Sequence, residues 1–243
     1  MELIYLGHSG MLVHGEKASF LMDYYLDQGE GRGLCHGVMD EEGLSLPGRL
    51  YVLISHSHGD HLNPVVFGYE NCRKDVVYVV AREAQDKVPK TLRSPVVFLE
   101  KGEAYRDELA FIRAYGSTDL GVSFYVEAEG KRFFHAGDLN DWHWNQEVPP
   151  EEAQGYTRAY REELAALSRD VSTLDLAMFP VDGRLGPDAA NGAVAFLSAI
   201  PTRVFAPMHF GEDYRTQDGL VARGPFGGTR VIRWTRRGEQ VSF

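Results

Sequence analysis

The segment Ser55-His56-Ser57-His58-Gly59-Asp60-His61 sets three imidazoles and a carboxylate directly behind the apolar run Tyr51 to Ile54. A lone histidine is usually a satisfied structural residue. The chain has only 9 histidines in 243 residues, and three of them crowded together with a carboxylate do not fit that description. Such a cluster gathers cation-forming groups and costs stability near neutral pH, whereas a bound metal holds the imidazoles neutral and removes the cost. His56 and His58 are two apart at a strand end, so both rings face one side and can share a metal. Asp60 and His61 turn into the following segment, so one loop can serve two adjacent metal positions. A metal held by neutral imidazoles and one or two carboxylates keeps open coordination positions and lowers the pKa of bound water from about 15.7 towards about 7. The chemistry to expect is metal-assisted hydrolysis. No G-x-S-x-G nucleophile elbow competes with it.

Other groups fall where apolar runs stop. Asp138 follows one strand and His209 another, so ligands from separate strands can converge. Asp23 ends a further strand and is expected to accept a hydrogen bond from a ligand imidazole rather than to bind metal. His135 is out of phase with Asp138 and is expected to be structural. Trp142 and Trp144 read equally as core or as the wall of a pocket beside Asp138. Asp182 and Arg184 end another strand and read as a turn or as substrate contacts.

The string HSHGDH matches the motif HxHxDH, and the chain resembles the metallo-β-lactamase fold superfamily along nearly its whole length. Gly7-His8-Ser9-Gly10 and Asp23-Tyr24, each behind a strand, resemble the branch containing the ascorbate-phosphate-lactonase-like hydrolases. Phe134-His135-Ala136-Gly137-Asp138 is similar to that family's strand-Gly-Asp signature, and Ala206-Pro207-Met208-His209 to its late strand-ending histidine. The resemblance implies an α+β fold, an αββα sandwich of two mixed β-sheets flanked by helices, as one domain over residues 1–243. It also implies that His56 and His58 hold a first metal, that Asp60, His61 and His209 hold a second, and that Asp138 bridges both. Asp60 would in addition orient the nucleophile or handle its proton. The cofactor is then one or two divalent ions, with Zn as the first expectation and Mn or Fe as alternatives.

One element of the family pattern is missing. A further histidine usually completes the first metal site, and here Gly116 to Thr118 occupy its position. Three alternatives stay open. Asp119 substitutes as an oxygen ligand, which favours a harder metal such as Mn or Fe; His8 or His143 reaches in; or only one metal is held. Asp119 also reads as a turn residue capping its own loop.

The elements that must position these groups are short apolar runs of strand length: Leu3 to Leu6, Phe20 to Met22, Tyr51 to Ile54, Val76 to Val80, Val96 to Leu99, Val122 to Val126, Arg132 to Phe134, Leu176 to Phe179 and Val204 to Ala206. Helical patterning covers Glu151 to Arg169, where Tyr156, Tyr160 and Leu164 read as packing, and Asp188 to Ile200. It is weaker over Asn63 to Phe67 and Arg82 to Lys87. The long irregular stretch Asp27 to Pro47 and the segment Asn140 to Glu147 are expected to shape the pocket.

Composition limits the partners. With 25 Lys+Arg against 35 Asp+Glu the net charge is −10, which argues against nucleic acid as a partner. Neither secretion nor membrane spanning is expected from the apolar patterning, and Cys35 and Cys72 match no zinc or disulfide pattern. The cytoplasm is the expected compartment. The function expected is cleavage of an ester, lactone or phosphoester bond in a small molecule. The alternatives are a non-hydrolytic metal-binding or sensor module, suggested by the absent histidine, and, ranked last, redox chemistry at a di-iron site.

Overall fold

The computed structural model describes residues 1–145 and 147–243. Its strands are β1 (Glu2–Gly7), β2 (Gly10–His14), β3 (Ala18–Met22), β4 (Arg49–Ile54), β5 (Val76–Ala81), β6 (Val96–Leu99), β7 (Ala104–Arg106), β8 (Ala110–Tyr115), β9 (Ser123–Ala128), β10 (Lys131–His135), β11 (Leu174–Pro180), β12 (Thr202–Met208), β13 (Arg230–Val231) and β14 (Gln240–Ser242). They form two seven-stranded sheets, ordered β14-β1-β2-β3-β4-β5-β6 and β13-β12-β11-β10-β9-β8-β7. Both are mixed: β3 to β6 pair in parallel, as do β10 to β13, while β1 to β3 and β7 to β10 pair antiparallel.

The alternation of side chains along each strand explains the layers. On β4, Tyr51 and Leu53 enter the core between the sheets, whereas Leu50, Val52 and Ile54 enter a second core on the outer face of the same sheet. A strand buried on both faces reads as an unbroken apolar run, and so this one does. The sheets meet through Phe20 and Phe133, edge to face at 5.1 Å, and Trp234, in the segment after β13, stacks on Tyr5 of β1 at 5.1 Å.

Helices α1 (Glu41–Leu44), α2 (Pro150–Asp170), α3 (Asn191–Ala199) and α4 (Asp218–Val221) complete the regular structure. The buried stripe Tyr160, Leu164 and Leu167 has the spacing of one helical face. Phe196 of α3 packs on Phe134, Phe179 and Phe205 of three adjacent strands. The other sheet is covered mainly by short 3₁₀ segments, Pro64–Asn71 and Arg82–Lys87 among them. These overlap the two segments with weak helical patterning. The stretch from Asp27 to Pro47 is tied down by Arg237, whose guanidinium donates to the carbonyls of Leu6, Leu26, Gln28 and Gly37. No helix among the described residues is long and apolar enough to cross a membrane.

Candidate metal centre

Every chemistry-bearing residue lies beyond the end of a strand at one edge of the sandwich. From the first sheet, β1 leads into His8, β3 into Asp23, and β4 into Ser55 and the histidine loop. From the second, β8 leads towards Asp119, β10 into Asp138, β11 into Asp182 and β12 into His209. Parallel strands from both sheets therefore deliver their ends to one cleft. The backbone there is strained: His8, Asp23 and His209 all adopt positive φ, at 52°, 45° and 67°. Non-glycine residues rarely do so, and such strain persists where the surroundings over-determine the conformation.

The side chains gather in two groups, within each of which the possible ligand atoms lie no more than 4.8 Å apart. One consists of His56, His58, Asp119 and Asp138, the other of His8, Asp60, His61 and His209. Asp138 spans them. Its Oδ2 is 3.5 Å from His56 Nε2, while its Oδ1 is 3.1 Å from His61 Nε2 and 3.3 Å from His209 Nε2. In the first group His58 Nδ1 and Asp119 Oδ2 are 3.5 Å apart, both side chains nearly half exposed. In the second, His8 Nε2 lies 3.5 Å from Asp60 Oδ2, and the His209 ring packs 4.1 Å from that of His8.

Behind the cluster, other side chains fix the imidazoles. His61 Nδ1 donates to Asp23 Oδ2 at 2.8 Å. The Ser55 hydroxyl donates to the same oxygen at 2.5 Å and accepts from His56 Nδ1 at 2.9 Å. One buried carboxylate thus orients both rings, directly for His61 and through Ser55 for His56, with Nε2 turned towards Asp138. Asp182 does the same for His209, accepting from Nδ1 at 2.8 Å.

Burial pushes the His56 pKa down, as does the neighbouring His61, and burial likewise lowers that of His8. The His8 imidazole, followed by His61 and His209, holds the Asp60 carboxyl well below the usual range against the opposing effect of burial. Burial would raise Asp138, but the His61, His209 and His56 rings hold it down. His61 stands between Asp23 and Asp138, which overcome burial and raise it to about 10. A cation at Nε2 would compete with the proton held there.

A divalent ion fits these residues. The Nε2 atoms of His8, His56, His61 and His209 and Oδ1 of Asp138 are buried without a hydrogen-bond partner, an arrangement that is costly for polar atoms unless something else binds them. No protein-family model matches the chain. A UPF0173 metal-dependent hydrolase of Alkaliphilus metalliredigens is 24% identical over 237 residues, with 86% of this chain and 85% of that protein covered. Among solved structures, the metallo hydrolase Igni18 of the archaeon Ignicoccus hospitalis superposes with a TM-score of 0.68 at 17% identity, over 100% of this chain and 97% of its own. The metallo-β-lactamase fold protein YhfI of Bacillus subtilis does so at 0.56 and 12% identity, over 99% and 98%. The chain has the metallo-β-lactamase fold, and its sequence is similar to that of metal-dependent hydrolases.

In this metallo-β-lactamase-fold protein the position of the absent histidine begins at Gly116, where a Cβ would meet the Glu163 carboxylate of α2, the end of a side chain that would have to move aside. Asp119, three residues on, reaches the first group instead. Its loop is held beside Asp138 by Thr118, whose hydroxyl donates to Asn140 O at 2.6 Å and accepts from Asn140 N at 2.9 Å. Glycines allow the close approach: Gly121, at φ 70°, passes so near the Ser55 carbonyl that a Cβ would overlap it.

Of the other two substitutes, His8 joins the second group and His143 joins neither. His143 is buried, and its Nδ1 accepts from Asn145 N at 3.2 Å. His135 is structural as expected, with Nε2 at 2.9 Å from Ser9 O. Trp142 is core and wall together. It is buried, its Nε1 donates to Asp138 O at 2.7 Å, and its ring meets the edge of His209 at 5.6 Å. Of the segment Asn140 to Glu147, residue 146 lies outside the described residues. Ser55 as a relay and Asp182 as the partner of His209 were not legible from spacing, although both stand at strand ends.

Proposed function

We propose that this chain is a binuclear metal-dependent hydrolase that cleaves an ester, lactone or phosphoester bond of a small molecule. His56, His58 and Asp119 would hold one ion, Asp60, His61 and His209 the other with His8 beside them, and Asp138 would bridge the pair. When bound, the ions supply Lewis acidity and a water acidic enough to yield hydroxide near neutral pH. The single observation that carries this reading is the set of buried, unpartnered Nε2 atoms converging on Asp138, each ring of His56, His61 and His209 being fixed from behind through Nδ1.

Asp60 is held as an anion at the exposed side of the second group, the place from which a carboxylate can orient a nucleophile or take its proton. Zinc suits the imidazole-rich second group. The first group has two carboxylates to two imidazoles and also suits Mn or Fe.

The test is elemental analysis by inductively coupled plasma mass spectrometry, run with turnover on a panel of esters, lactones and phosphoesters. The native protein should hold about two equivalents, and Asp119→Ala and His209→Ala should each lose about one. Turnover unchanged in the His56→Ala/His61→Ala double variant would overturn the reading. So would stoichiometric metal with no turnover on any substrate, which would leave a metal-binding module.

A further inference from the structure

Arg184 has an arrangement that packing alone does not require. Its Nε donates to both oxygens of Asp182 at 3.0 Å, and its Nη2 donates to Oδ2 at 2.6 Å. Its guanidinium carbon lies 5.8 Å from the Trp142 ring centre and 5.5 Å from that of Trp144, within cation–π range. The two indoles are stacked, 5.7 Å apart and 12° from parallel. The cation is thus held at one edge by a carboxylate and beside two ring faces, yet the side chain remains 61% exposed. Nη1 has no hydrogen-bond partner among the described residues.

The place matters as much as the restraint. Asp182 bonds His209 with the same carboxylate that clamps Arg184, and Trp142 touches the His209 ring. The guanidinium therefore stands one residue removed from the second ligand group, within the fields of Asp138 and Asp60. In a chain of net charge −10, a fixed and largely exposed cation beside the second ligand group favours anions among what approaches. A planar guanidinium with free N–H groups matches the geometry of carboxylate or phosphate oxygens.

We propose that Arg184 anchors an oxyanion, carboxylate or phosphate, carried by the substrate at a point away from the bond that is cut. Resting on the hydrolase reading above, this narrows the substrate class to anionic small molecules. Asp182 is then a shared positioning residue that sets the anchor and the His209 ring in one geometry.

The experiment is isothermal titration of the metal-loaded protein with inorganic phosphate, with succinate and with the neutral diester dimethyl succinate. It is run on the native chain, Arg184→Gln and Arg184→Lys, with metal content measured alongside. The Gln variant should bind at least one of the two anions about tenfold more weakly, the Lys variant should fall between, and the neutral probe should not change. Loss for phosphate alone assigns a phosphate anchor, and loss for succinate alone a carboxylate anchor. Native affinity for both anions in the Gln variant at native metal content overturns the proposal, as does a native protein that binds neither. Should the Gln variant lose metal, the Lys variant decides by the same criteria. Arg184-dependent binding without turnover on any substrate refutes the hydrolase reading and leaves the anchor. Turnover with no dependence of binding on Arg184 does the reverse.

Discussion

Asp182 and His209 stand 27 residues apart in sequence and 2.8 Å apart in the structure, carboxylate oxygen to Nδ1. They end neighbouring parallel strands, β11 and β12, which pair Pro180 with Met208. The register of a sheet thus fixes the orientation of an imidazole at its edge. Because a carboxylate only accepts hydrogen bonds, Nδ1 must carry the proton and Nε2 must face the cleft.

Replacing Asp182 by Asn should accordingly weaken metal binding about 10–100-fold without removing a ligand. Competition with a chromogenic chelator measures it. Affinity equal to that of the native protein would show that His209 needs no such partner.

Asp23 serves two rings. It accepts from Ser55 N at 2.8 Å, from the Ser55 hydroxyl and from His61 Nδ1, and it is almost wholly buried. Asp23→Asn should lower stability by about 3 kcal/mol, in urea unfolding with metal removed by chelation as well as with metal present. A loss seen only with metal present would mean that Asp23 acts through the ligands and contributes nothing to the bare fold.

Gly121→Ala places a methyl group against the Ser55 carbonyl and within 2.7 Å of His56 Cβ, at a φ of 70° that alanine resists. The expected cost is more than about 1 kcal/mol, together with loss of metal from the first group. Thermal unfolding and metal analysis report the two effects, and native values in both would contradict the close packing described.

Far from the site, Asp107 makes the acid limb of stability predictable. Burial would raise its carboxyl, but hydrogen bonds from the Tyr51 and Tyr105 hydroxyls and from the Leu109 and Ala110 amides bring it down to about 2. A depressed carboxylate stabilises the fold fully above its unfolded pKa near 4, and that contribution fades as pH falls towards 2. Asp107→Asn should remove about 2 kcal/mol at neutral pH and flatten the pH dependence of unfolding between these limits. An unchanged slope there would refute the assignment.

The sequence was most legible where function rests on neighbours. His56, His58, Asp60 and His61 share one loop, and the apolar runs before Asp138 and His209 marked strand ends that do converge. The strands β2, β7, β8, β13 and β14 were not read, being too brief or too weakly patterned to stand apart from turns. The weak helical patterning over Asn63 to Phe67 and Arg82 to Lys87 fell in the short 3₁₀ segments Pro64–Asn71 and Arg82–Lys87, for which so little periodicity cannot choose between helix types.

By itself the sequence determined that a cluster of candidate metal ligands exists, that it sits at strand ends, and which histidines could take part, because those facts follow from residue type and local spacing. Tertiary structure decided that Asp119 and His8 join it while His143 does not, and that Asp23 and Asp182 orient the rings. Each of those relationships crosses between strands or between the two sheets. Their apposition is set by burial of groups such as Phe20 against Phe133, a packing choice that no local spacing encodes.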